Sequence, residues 1–196
     1  MVGFRLVSLI IISIVIAFVH GTIQSLNGND WMIRDIEGNY SINGTVPGTI
    51  HTNLLQAKKI PEPYLGYNDI DLRHLVITNW IFRKVFNISS EITATDRITI
   101  HFDQIDTVAN VSLNGVEIGQ TNSMFMAYTF AINKTDLKPM NNELEITFES
   151  PVIYAANQSS AYNQTVMPVC PPDVQHGLCH VQFIRKEPCS FSWDWV

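Results

Sequence analysis

The strongest constraint on the fold is an Asn-Gly pair between two apolar segments. Residues 108–113 (Val-Ala-Asn-Val-Ser-Leu) lead into Asn114-Gly115, and residues 116–118 (Val-Glu-Ile) follow. Asn-Gly readily takes positive φ at both central positions of a type I′ turn, whose twist matches that of paired strands. The spacing predicts a β-hairpin. Its neighbours share the pattern. In residues 80–86, Trp80, Phe82 and Phe86 fall on one face, and Ile98, Ile100 and Phe102 alternate with Arg97, Thr99 and His101. Residues 127–132 and 143–148 add further strands, the latter with Leu144, Ile146 and Phe148 inward and Glu143, Glu145 and Thr147 outward. Helical signals are few: Thr49 can cap a short helix through Ile50, Leu54 and Leu55, and residues 152–162 predict a turn or two. Many short strands with turns between them imply an all-β antiparallel sandwich of jelly-roll type.

The N-terminus indicates the compartment. Arg5 precedes an apolar run, residues 6–19, broken only by Ser8 and Ser13 and ended by His20-Gly21. Residues 1–21 are read as a signal peptide, too short for the roughly 20 apolar residues a spanning helix needs; a signal anchor is the alternative. The expected mature domain is residues 22–196, about 175 residues and suited to one domain. Seven Asn-x-Ser/Thr sequons follow, at Asn39, Asn43, Asn87, Asn110, Asn133, Asn157 and Asn163, consistent with a glycoprotein that traverses the secretory route. Asn110, inside an expected strand, is the sequon least suited to use.

Three cysteines in an oxidising compartment leave one over. Cys170 and Cys179 flank a loop with Pro171, Pro172 and Gly177 and are expected to form a disulfide, removing about 2 to 3 kcal/mol of unfolded-chain freedom. Cys189 then stays free or pairs beyond Val196. Zinc held by Cys170, His176, Cys179 and His180 has acceptable ligand types, but the compartment disfavours reduced thiols, and no metal is assigned. The net charge of −6 and 15% charged residues, without a basic block, disfavour nucleic-acid partners. No phosphate loop, nucleophile elbow or zinc-protease helix is present, and no cofactor is assigned.

Near the C-terminus, Trp193-Asp194-Trp195 brackets a carboxylate with two indoles. Carboxylates accept hydrogen bonds from sugar hydroxyls, and flat rings cover the C–H faces of a pyranose at low entropy cost. Core packing is the competing reading for both indoles. Among acid pairs, Glu143 and Glu145 read as a solvated strand face, Asp103 and Asp106 as turn caps, and Asp69 and Asp71 as loop carboxylates. None supports self-contained catalysis.

Residues 106–119 (Asp-Thr-Val-Ala-Asn-Val-Ser-Leu-Asn-Gly-Val-Glu-Ile-Gly), with Phe130-Ala131-Ile132 and Asn142-Glu143-Leu144, resemble the N-terminal sugar-binding sandwich of the glycoside hydrolases that include β-galactosidase, β-glucuronidase and β-mannosidase. Val46-Pro47-Gly48-Thr49-Ile50-His51, Asn68-Asp69, Asn79-Trp80, Phe183-Ile184-Arg185-Lys186-Glu187 and Phe191-Ser192-Trp193-Asp194-Trp195 resemble the lysosomal β-mannosidases of animals. The resemblance runs from about Leu26 to Trp195. It implies a retaining exo-enzyme that removes terminal β-mannose from glycoprotein-derived oligosaccharides, using two glutamates about 5 Å apart on a downstream (β/α)8 barrel. It implies that Asp194 accepts hydrogen bonds from the sugar while Trp193 or Trp195 shapes the pocket wall. Arg185, Lys186 and Glu187 are either support for that site or a solvated run. The family continues with Gly-Pro after Trp195 and then a strand that closes the sandwich, where this sequence has Val196. The chain is therefore expected to be a fragment, inactive alone, destined for the lysosome or for secretion. A lectin-like secreted module without catalysis, or a structural glycoprotein, is the alternative.

Overall fold

The computed structural model describes residues 22–162 and 183–186. The expected signal peptide, Asn163, the Cys170–Cys179 pair, His176, His180, Glu187, Cys189 and the Trp193-Asp194-Trp195 motif lie outside the described residues.

Eight strands make two antiparallel sheets among the described residues. The larger has six: β1 (Gly28–Asp35), β2 (Ser41–Val46), β3 (Trp80–Phe86), β5 (Ala109–Leu113), β6 (Val116–Thr121) and β8 (Asn142–Phe148), in the order β2-β1-β3-β8-β5-β6. The smaller pairs β4 (Ile98–Phe102) with β7 (Tyr128–Ile132). The all-β sandwich read from alternation is thus observed.

The hairpin forms as its turn chemistry requires. Asn114 and Gly115 take φ of 54° and 84°, the positive values of a type I′ turn. The Asn114 side chain also ties the turn to β8: its Oδ1 accepts the Glu143 amide at 2.9 Å and its Nδ2 donates to Asn142 Oδ1 at 2.9 Å.

Register in the large sheet sorts each strand into an inner and an outer face. Ile33 pairs with Phe82, Phe82 with Ile146 and Ile146 with Val111, an apolar row across four strands. Ile100 and Phe102 of the smaller sheet pack against this core. Lys84 breaks the apolar pattern: it is buried on the inner face, ion-paired with Asp30, and its Nζ lies 6.0 Å from the Trp31 ring centroid. That pairing holds the Asp30 carboxyl below its ordinary range. The outer face carries Asn43, Arg83, Glu145 and Asn110, with Arg83 ion-paired to Glu143.

Two strands escaped the sequence reading. In β1 and β2 the outward Met32 and the Asn43-Gly44 pair blur the alternation, although Trp31, Ile33 and Ile42 point inward. Gly44 is needed there, because a Cβ would meet Ile33 Cδ1 at 2.2 Å. Their connecting turn is organised by Asp35, 1% exposed, whose Oδ1 accepts the Tyr40 amide at 2.7 Å and whose Oδ2 accepts the Asn39 amide at 3.2 Å. Burial pushes the Asp35 carboxyl upward, but these bonds outweigh it and the net direction is down.

Helices cover the ends and are more regular than the sequence implied. The capping of α1 (Ile50–Gln56) by Thr49 is as expected: Thr49 Oγ1 accepts the Thr52 amide at 3.1 Å and Thr52 Oγ1 answers at 3.0 Å. Residues 152–162, expected to give a turn or two, belong instead to α5 (Pro151–Ala161), an eleven-residue helix. Ser150 explains the difference, since its Oγ accepts the Ile153 amide at 3.2 Å while Pro151 stands at the first helical position. Asp69 and Asp71, expected in a loop, lie in the one-turn helix α2 (Asn68–Asp71), followed by α3 (His74–Ile77). The short α4 (Ser90–Thr93), also not anticipated, is capped by Ser89. Among the described residues no helix is long and apolar enough to cross a membrane.

Candidate functional site

Between the two sheets lies a trough of about 1810 Å³, wider than the 300 to 1000 Å³ typical of small-ligand pockets. Its floor is apolar, built from residues such as Trp31, Phe82, Ile100 and Ile146. A polyhydroxylated ligand needs convergent polar groups, so the floor is core surface rather than a sugar site. The rim is different. It carries His51 from α1, Asp69 from α2, His101 from β4, Asp103 and Asp106 from the loop before β5, and Lys186.

Lys186 closes a short anchored stretch. The backbone at Arg185 bridges in parallel to Ser123, and the Met124 amide donates to Arg185 O at 3.0 Å. Ile184 is buried, and the Phe183 ring meets Tyr162 edge-on at 5.5 Å. The Lys186 ammonium is ion-paired with Asp106 at the rim. Arg185 is exposed, and Lys186 is the one of these two that has a charged partner among the described residues.

The acid pairs behave as structural groups. Glu143 is held by Arg83 across the outer face, Asp106 by Lys186 and Thr107, and Asp103 stands 3.3 Å from His101 Nε2. Asp106, expected to cap a turn, is held instead by Lys186 at the rim and by its own neighbour Thr107.

His51 is the rim group displaced by its surroundings. Burial penalises the imidazolium and holds its pKa below the ordinary value of about 6.5. The neutral ring thus favours the folded state; the contribution is full above that value and is lost as pH falls below it. His51→Gln is expected to flatten the decline in stability between pH 7 and pH 5. Melting temperatures at the two pH values check this, and an unchanged slope rejects it.

All six described sequon asparagines, Asn39, Asn43, Asn87, Asn110, Asn133 and Asn157, are exposed. Asn110 is in β5 as expected, on the outer face rather than in the core.

Residues 31–196 match the family described as glycosyl hydrolase 2 galactose-binding domain-like. The chain is 43% identical to β-mannosidase of Bos taurus over 172 residues, covering 87% of this chain and 19% of that protein. Against β-mannosidase of Mus musculus it is 40% identical over 178 residues, 90% of this chain and 20% of that protein. The crystal structure of β-D-mannosidase from Dictyoglomus thermophilum superposes with a TM-score of 0.67 at 31% identity, covering 71% of this chain and 17% of that one. The chain thus spans about a fifth of the length of the curated relatives it matches. With an antiparallel sandwich and a family match over 31–196, this chain belongs to the galactose-binding domain-like family of glycosyl hydrolase 2.

Proposed function

We propose that this chain is the N-terminal domain of a retaining exo-β-mannosidase that removes terminal β-D-mannose from glycoprotein-derived oligosaccharides. The identity of 40 to 43% to mammalian β-mannosidases over nearly the whole domain carries this reading. Two glutamates on a downstream barrel, about 5 Å apart, supply the acid/base and the nucleophile of a double displacement. The domain's own part is recognition. Asp194 accepts hydrogen bonds from hydroxyls of the terminal sugar, Trp193 covers its apolar face, and Trp195 completes the wall. The 196-residue chain alone is inactive, since its acid pairs are engaged or solvated. Residues 1–21 direct the chain into the secretory route, several sequons are glycosylated, Cys170 pairs with Cys179, and the enzyme works in the lysosome.

The test is to express the full-length product that continues past Val196 and assay p-nitrophenyl β- and α-mannosides. Hydrolysis of the β-anomer alone is expected. Asp194→Asn removes charge-assisted hydrogen bonds worth about 1.5 to 3 kcal/mol each, so kcat/KM should fall by about a hundredfold. Absence of β-mannoside hydrolysis by the parent sinks the reading. Unchanged kinetics in Asp194→Asn sink the role of that residue. Sugar binding without turnover favours the lectin-like alternative.

A further inference from the structure

We infer that the segment around Tyr64, Leu65, Tyr67 and Ile70 is the seat on which the downstream catalytic domain packs. This rests on the mannosidase reading and adds to it the face through which the two parts meet.

Those four large apolar side chains, within seven residues, are 90, 69, 77 and 42% exposed. Single exposed apolar residues are ordinary; a cluster marks an interaction site. Nor is the exposure that of a loose loop. Leu65 N donates to Glu62 O at 3.2 Å, Asn68 Nδ2 to Glu62 O at 2.8 Å, Asn68 N to Leu65 O at 3.3 Å and Ile70 N to Tyr67 O at 3.0 Å. The stretch is braced by its own backbone with the tyrosines held outward.

Two observations choose the occupant. The chain covers only about a fifth of each mammalian relative, so in a protein of that length most of the mass has to seat somewhere on this domain. The sequons mark where it does not. Asn43 and Asn110 stand on the outer face of the large sheet, Asn157 on α5, and Asn39, Asn87 and Asn133 at strand ends, all exposed. No sequon occurs between Asn43 and Asn87, the stretch that contains the apolar cluster. Tyr64 and Asp69 also line the trough rim shared by Lys186.

The test is hydroxyl-radical footprinting of the full-length protein, read by mass spectrometry at Tyr64 and Tyr67 against the same protein unfolded in urea. Burial in an interface should slow both by about fivefold or more. Rates within about twofold of the unfolded protein overturn the inference, as does protection that disappears on dilution, which assigns the face to a second copy. β-Mannosidase activity is measured separately: protected tyrosines without hydrolysis sink the mannosidase reading and leave the seat standing, whereas hydrolysis with unprotected tyrosines sinks the seat alone. As a second measurement, Leu65→Asn with Tyr67→Thr creates an Asn-Gly-Thr sequon at the cluster. In a glycosylating host the occupied variant should lose its N-terminal domain to limited proteolysis several-fold faster than the parent; an equal rate overturns the inference.

Discussion

Asn53→Ala is expected to cost about 3 kcal/mol, more than a hundredfold in the folding equilibrium. Asn53 is 3% exposed and serves both backbone groups of one residue on the edge strand β2. Its Oδ1 accepts the Thr45 amide at 2.7 Å and its Nδ2 donates to Thr45 O at 3.2 Å, with a further bond to Thr49 O at 2.9 Å. Thr49 O keeps the Asn53 amide at 3.1 Å, but both Thr45 groups lose these partners, at about 1 to 3 kcal/mol each. The site cannot be repacked by a larger apolar side chain. Gly44 and Gly48 close around the amide: a Cβ on Gly44 would lie 2.8 Å from Asn53 Oδ1, and one on Gly48 would meet Thr45 O at 2.5 Å. Urea unfolding of the variant against the parent gives the difference. A cost below about 1 kcal/mol shows that water replaces the amide and that the β2–α1 corner is not built on it.

Trp80→Ala should be costlier still, about 4 kcal/mol, close to the whole stability of a marginal domain. Trp80 is 4% exposed at the start of β3, paired with Asp35 of β1 and Phe148 of β8. Its ring lies 5.8 Å from that of Tyr40, and its Nε1 donates to Leu75 O at 2.8 Å, fastening α3 to the sheet. Most of the loss is apolar contact. Trp80→Phe, which keeps a ring and loses the N–H, should therefore cost only about 1 to 2 kcal/mol. Equal costs for the two variants place the energy in the hydrogen bond and overturn the packing account.

The contrast between these residues shows what the sequence made legible. Trp80 was placed inward by alternation with Phe82 and Phe86, because a half-buried strand writes its two faces into the chain at period two. The hairpin was legible for the same reason, with Asn114-Gly115 supplying a turn only a few residue pairs can make. Asn53 gave no such signal: a buried amide satisfied by an edge strand eight residues away looks, in sequence, like any polar residue in a helix. α5 was underestimated because its start depends on Ser150, whose Oγ also donates to Val76 O at 2.7 Å across the fold. The Trp193-Asp194-Trp195 grouping, proposed to bind the sugar, is read from residue chemistry alone. The rim and the Lys186–Asp106 pair required the third dimension, since those two residues are eighty positions apart.

The buried Lys84 has a consequence for which alignment of β3 the chain can adopt. Side chains on a strand switch faces when pairing slips by one position. A slip of β3 would turn Lys84 outward and drive Arg83 and Val85 inward, taking Arg83 from Glu143 and Lys84 from Asp30. An unpaired guanidinium would then sit where the folded sandwich holds a neutralised ammonium, at a cost of several kcal/mol. A core leucine at position 84 would tolerate such misalignment better, because leucine has no counter-ion to lose. Lys84 acts as a proofreading charge against one-residue slips of this strand.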